Sequence, residues 1–214
     1  MWRRLCITVV ALLVIACPLA AQTQQPEYKD LYWEVTPMFG YRTNISFKTD
    51  PVVNNVRSKI TFEGGAAYGA AFGARFNDED TVEFRWMRQD ARVRFSPSFA
   101  EGGDLSIDQF HLDFSHEYEI DAWPEGRPFI MLGIGASRIS GAPSFNGFTR
   151  FSFGMGGGLK VFPSHGVGFK VQVQWLPIVF NPEITAACTA NCVIRFGGKI
   201  GSQAEIAAGP VFRF

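Results

Sequence analysis

His111 and Asp113 stand two residues apart, a spacing that turns both side chains to one face if the segment is a strand. Such a pair offers a base and a carboxylate to orient it. No nucleophile is legible beside it. Ser115 and His116 are adjacent, so on a strand they point to opposite faces. A hydrogen-bonded interior histidine is the simpler reading of His111. Cys188-Thr-Ala-Asn-Cys192 brings two thiols close together, and in an oxidising compartment they form a disulfide that tightens a loop. A metal site would need more ligands than the neighbourhood offers. Arg88, Arg92 and Arg94 present forks suited to phosphate, the bland alternative being a solvated rim of charge. Arg75, Glu83, Arg85 and Glu117 fall on alternating positions of neighbouring segments and are candidates for one ionic cluster. No catalytic set, metal-ligand set or cofactor motif is legible, so neither an enzyme activity nor a cofactor is expected.

The chain of 214 residues carries 20 acidic and 20 basic side chains, and this balance gives no long-range field for nucleic acid. Met1-Trp-Arg-Arg4 is basic, Leu5 to Ala16 is mostly apolar, and Pro18-Leu-Ala-Ala-Gln22 is suited to cleavage. This is the layout of a secretory signal peptide over residues 1–21. Val14-Ile-Ala-Cys17 is also similar to a lipobox, which would leave a lipidated Cys17. A short segment, 22–30, precedes a single domain over 31–214. With 21 Phe and 22 Gly and no long apolar run after the signal, the domain crosses no membrane as a helix.

The elements that must place these residues read as strands. Ala204, Ile206, Ala208, Pro210, Phe212 and Phe214 alternate with Glu205, Gly209 and Arg213, which is a strand with one apolar face. The same period-two pattern recurs over Leu31–Tyr41, Phe62–Phe76, Thr81 onward, Ile107–Ile120, Pro128–Ile139, Arg150–Phe162 and Val167–Trp175. In the third of these the pattern fails at Arg88 and Asp90: either the strand has left the membrane or a bulge resets it. Connections alternate long and short. Asn77–Asp80, Asp121–Arg127 and Pro163–Gly166 are short turns. Residues 42–61, 95–105, 140–149 and 178–203 are longer. Pairing about Asn77–Asp80 is expected to set Arg75 opposite Glu83, with Glu83 near Glu117. Trp33, Trp86, Trp175, Tyr41 and Tyr68 lie on apolar faces as interfacial anchors.

The signal peptide, the Pro128-Phe129…Gly133-Ile-Gly135 and Phe153-Gly-Met-Gly-Gly-Gly158 strands, the Phe162-Pro-Ser-His165 turn and the aromatic at position 214 together resemble the small outer membrane protein β-barrel domain family. That family includes the OmpA transmembrane domain and OmpX-like and opacity-type proteins. The resemblance implies an all-β, eight-stranded, antiparallel up-and-down transmembrane barrel in the cell outer membrane, its long loops outside and its short turns periplasmic. It makes Phe212 and Phe214 an assembly signal for the barrel assembly machinery, and puts Arg88, Arg92 and Arg94 at the level of lipopolysaccharide phosphates. The implied partners are outer membrane lipids and lipopolysaccharide, with a monomeric barrel. Its role is structural, or surface binding through the loops. A narrow channel for small solutes is the alternative, and a lipid A-modifying enzyme a third reading whose His and Ser motifs are not recognisable here. A soluble barrel with a greasy cavity conflicts with the polar Lys170, Gln172, Gln174 face.

Overall fold

The computed structural model describes residues 31–48, 59–96, 101–141, 147–163, 166–179, 185–188, 192–195 and 200–214. The expected signal peptide, Cys17 and the 22–30 segment lie outside the described residues. The strands, in chain order, are β1 (Tyr32–Arg42), β2 (Ile45–Lys48), β3 (Lys59–Phe62), β4 (Gly65–Arg75), β5 (Asp80–Ser96), β6 (Glu101–Glu117), β7 (Gly126–Gly141), β8 (Phe148–Val161), β9 (Val167–Val179), β10 (Thr185–Cys188), β11 (Cys192–Arg195) and β12 (Ile200–Arg213). Eight of them, β1, β4, β5, β6, β7, β8, β9 and β12, pair antiparallel in that order, and β12 pairs back onto β1 to close the ring. Closure leaves no row of unpaired amides in the wall, the condition for a sheet to cross lipid.

Alternation decides which side of the wall is apolar. Phe39, Leu132, Ile134 and Phe151 face outward and are more than half exposed, at 70%, 60%, 61% and 55%. Their neighbours Glu34, Glu83, Arg85, Asp113, Lys160, Lys170 and Glu205 face inward and are buried. A wall that is greasy outside and ionic inside is the reverse of a water-soluble barrel, and it suits a lipid surround. Trp33 stacks on Phe72 at 5.1 Å, and Tyr68 meets Trp86 edge-on at 6.5 Å, both on the outer face.

Toward the long-loop end the polarity inverts without any change of parity. On β5 the outward series runs Val82, Phe84, Trp86 and then Arg88, Asp90, Arg92, while the inward series runs Thr81, Glu83, Arg85 and then Met87, Gln89, Ala91, Val93. Of the two expectations for Arg88 and Asp90, the bulge is not found: the strand keeps its register and its parity there. The register irregularity of β5 against β6 comes later, between Arg92 and Arg94. On β6, Leu105 and Ile107 point in while Asp104, Ser106 and Asp108 point out. The inward apolar residues Ile45, Phe62, Ala91, Val93, Leu105, Ile107, Ile139 and Ile178 form one buried cluster, with Phe148 packed against it. At this end the outer face is polar, as a surface in water would be, and the inner face is an ordinary apolar core, so the same two-residue period carries the opposite chemistry.

All four of the expected longer loops contain strand residues: β5 runs to Ser96 and β6 begins at Glu101, β7 runs to Gly141 and β8 begins at Phe148, and the other two hold hairpins. Arg42 closes β1 with its side chain buried, and residues 45–62 include the β2–β3 hairpin, whose second strand continues the sheet onto β5. Ile178 belongs to β9 and residues 200–203 to β12, with the β10–β11 hairpin between them.

Candidate functional site

The inward charges are gathered in two groups. Nearer the short turns, Lys160 Nζ donates to Glu34 Oε2 at 2.6 Å and to Glu117 Oε1 at 2.7 Å. Arg75 closes on Glu117 at 3.2 Å and Arg213 on Glu34 at 2.7 Å. Lys170 Nζ reaches both oxygens of Glu83, at 2.8 and 2.9 Å. The ring of Phe129 lies 5.9 Å from the Lys160 ammonium and 5.3 Å from that of Lys170, so one buried aromatic ring serves two cations. Nearer the long loops, Arg85 Nε donates to Asp113 Oδ2 at 2.7 Å and its Nη1 to Glu205 Oε1 at 3.2 Å, while Arg42 Nε donates to Glu205 Oε2 at 2.6 Å. Burying these charges is tolerable because each is paired.

The pairing differs from the expected register by one inward position. Asn77 Oδ1 accepts from the amides of Glu79 and Asp80, tightening the turn so that Arg75 faces Thr81 and Gly73 faces Glu83. Across β5 and β6, Glu83 faces Asp113, and Glu117 faces Phe129 on β7. Of the four residues expected in one cluster, Arg75 and Glu117 meet, Glu83 goes to Lys170, and Arg85 lies in the other group. The cations that complete the lower group, Lys160 and Lys170, sit on β8 and β9, far along the chain. Their signal in the sequence was only that each breaks the small or polar face of its strand with a charge.

His111 has a hydroxyl partner that its own segment does not reveal. Its Nε2 lies 2.9 Å from Ser152 Oγ, and its Nδ1 lies 3.7 Å from Asp113 Oδ1. The order Ser, His, Asp is that of a nucleophilic triad. All three residues are at most 1% exposed, and the second carboxylate oxygen of Asp113 is held by Arg85. His111 is thus a buried histidine hydrogen-bonded to Ser152, with Asp113 nearby but beyond hydrogen-bond distance. Gly133 stands opposite Asp113, and a Cβ there would run into the carboxylate, so the close approach requires glycine.

At the outer rim, Arg88 pairs with Asp90 at 3.4 Å and lies 3.9 Å from Asp108, Arg92 pairs with Asp104 at 3.4 Å, and Arg94 pairs with Glu63. A shallow cavity of about 550 Å³ beside them is bordered by Glu63, Asp90, Arg92, Asp104, Ser106 and Ser140. Cys188 and Cys192 are directly opposed in the β10–β11 backbone ladder, and their side chains lie outside the described residues. Phe212 and Phe214 are exposed on the lipid-facing side of the wall, at 43% and 67%. Among the described residues no group of three or more His, Cys, Asp or Glu is placed to hold a metal ion.

No protein-family model matches the sequence, and neither does any curated protein. Solved structures do match in fold. The outer membrane protein OprG from Pseudomonas aeruginosa superposes with a TM-score of 0.61 at 12% identity, over 87% of this chain and 97% of that one. Neisserial surface protein A, NspA, gives 0.56 at 10% identity, over 86% and 97%. The outer membrane protein AlkL, solved in lipid bilayers, gives 0.53 at 11% identity, over 90% and 94%. The chain thus has the fold of the small outer membrane barrels, a closed antiparallel ring of eight strands.

Proposed function

We propose that the chain is an integral barrel of the bacterial outer membrane, closed to solute flow, which carries a polar rim of β5–β7 and the β2–β3 hairpin above the lipid as its contact surface. The observation that carries this reading is the filling of the lumen: two groups of buried ion pairs stacked below a buried apolar cluster. An eight-stranded ring has room for side chains and little else. Residues that are both paired and packed resist displacement by passing solutes. The rim arginines stand where lipopolysaccharide headgroups lie. Each is joined to a carboxylate, so lipopolysaccharide phosphate binds there only by exchanging for that partner. In the same reading residues 1–21 are a cleaved signal, Cys188 and Cys192 are bridged, Phe212 and Phe214 meet the assembly machinery, and the barrel is a monomer.

Conductance across planar lipid bilayers tests this function. The purified barrel is expected to insert without raising conductance. Reproducible unitary steps would replace the closed scaffold by the narrow channel.

A further inference from the structure

An apolar groove, an unpaired arginine and a polar cavity follow one another along the outer face of β6–β8. Leu112, Phe114, Leu132, Ile134, Phe153 and Met155 border a groove of about 540 Å³ on the lipid-facing side of the wall. In the row next outward Ala136 lies between Phe110 and Phe151. A small residue between two rings leaves a slot that leads from the groove toward the long-loop end. One row further, Arg138 lies between Asp108 and Thr149. Beyond it Ser140 faces Ser106, their hydroxyls 3.5 Å apart, and both border the polar cavity of about 550 Å³. From Ala136 to Ser140 the strand rises about 13 Å.

Arg138 differs from the arginines of β5 at this end. Arg88, Arg92 and Arg94 are each joined to a carboxylate. The Arg138 side chain is exposed and has no ion pair or hydrogen bond among the described residues. Asp108, opposite it, is turned to its other neighbours: Oδ1 accepts from Trp86 Nε1 at 3.3 Å, and Oδ2 lies 3.9 Å from Arg88 Nη1. The fork of Arg138 is thus open to a phosphate without any ion pair having to break. Asp90 and Asp104 border the cavity above it. They would repel a second anion there, whereas carboxylates accept readily from neutral hydroxyls.

We propose that this face seats one phosphorylated glycolipid of the outer leaflet. An acyl chain lies in the groove, a phosphate sits on Arg138 beside the hydroxyls of Ser140 and Thr149, and sugar enters the polar cavity. The inference deepens the contact-surface reading above and rests on it. The groove by itself identifies nothing, since any bilayer would fill it. The order of the three parts sets the class. A glycerophospholipid offers a chain and a phosphate and leaves the polar cavity unmatched. A soluble sugar phosphate leaves the groove unmatched.

The test uses the full-length barrel purified from outer membranes in mild detergent, stripped of lipid and titrated in native mass spectrometry. The probes are a bisphosphorylated short-core lipopolysaccharide, the same molecule enzymatically dephosphorylated, phosphatidylglycerol, and a hexose phosphate. One molecule of the intact glycolipid should be retained, about tenfold more tightly than its dephosphorylated form or phosphatidylglycerol. Arg138→Gln should lose that preference for phosphate. Ala136→Trp, which closes the slot, should weaken the intact glycolipid, and Arg127→Gln at the opposite end of the barrel should change nothing. Equal retention of the two glycolipid forms by the wild type would overturn the site. So would equal retention of phosphatidylglycerol, the mark of an ordinary annular lipid, or retention of the hexose phosphate as tight as that of the glycolipid. A phosphate preference undiminished in Arg138→Gln counts against it as well. Where Arg138→Gln does not fold, the wild-type comparison of the two glycolipid forms decides. Failure of the underlying reading is separable: a chain that never gives a heat-sensitive compact form is not a barrel, and conductance steps leave the lipid comparison unaffected.

Discussion

Replacing Lys170 by Met isolates the energetics of the filled lumen. The Lys170 ammonium chelates both oxygens of Glu83 at 2.8 and 2.9 Å, and the two side chains are 2% and 4% exposed. No other cation reaches Glu83 within ion-pair distance among the described residues. Met keeps the aliphatic stem against Phe129 and removes only the charge, so the loss is that of a carboxylate stranded in the interior. Removing one partner of a buried pair costs about 3–5 kcal/mol. The double variant Lys170→Met with Glu83→Met deletes both charges and fills the space with apolar atoms, which should return stability to within about 1 kcal/mol of wild type. The assay is equilibrium unfolding in urea from lipid vesicles, followed by emission from Trp33, Trp86, Trp123 and Trp175. A single variant as stable as wild type, or a double variant no better than the single, would refute the claim that this pair is dry and mutually compensating.

Other consequences are open to direct measurement. Leu132→Arg puts a charge in the lipid belt and should destabilise the barrel by about 2–4 kcal/mol if it lies near the midplane, whereas Ser106→Arg on the polar rim should leave the unfolding midpoint where it is. Phe62→Ala removes a ring from the apolar cluster above the membrane, and a loss of about 3–5 kcal/mol is expected in the same unfolding assay. Gly133→Ala drives a methyl into the Asp113 carboxylate and should cost about 1–3 kcal/mol, with a relief of that cost in Asp113→Ala that identifies the clash. The Asp80 carboxyl, in the turn outside the belt, is held below its usual value first by the Asn77 amide and then by His116. A depressed value means stabilisation that is present above the unfolded value and lost as pH falls through the folded one. Asp80→Ala should therefore be less stable than wild type at neutral pH, and the two curves should converge in strong acid.

The wall was legible in the sequence and its contents only in part. Alternation in Val167–Trp175 or Ile206–Phe214 names the lipid face directly, because lipid and lumen demand opposite chemistry at adjacent residues. Partners within the lumen are set by shear and by turn geometry, so a one-position change at Asn77–Asp80 moved Arg75 from Glu83 to a pairing with Glu117. Ser152 is invisible as the companion of His111 because 41 residues separate them and only closure of the β6–β7–β8 wall brings them together. Arg42 looked like the start of a polar loop, since Asn44, Lys48 and Asp50 follow it. The pattern failure at Arg88 and Asp90 is an inversion of polarity at constant parity, not a shift of register. The apolar Ala91 and Val93 that follow keep their parity and serve an inner core.

The inversion of polarity along β5 and β6 is the central claim, and depth-dependent fluorescence quenching tests it most directly. A bimane label placed singly at positions 84, 132, 107 and 104 of the barrel in vesicles would be exposed to brominated lipids and to aqueous iodide. Labels at 84 and 132 should be quenched by brominated lipid alone, the label at 104 by iodide alone, and the label at 107 by neither. Quenching of position 107 by brominated lipid, or of positions 84 and 132 by iodide, would contradict it.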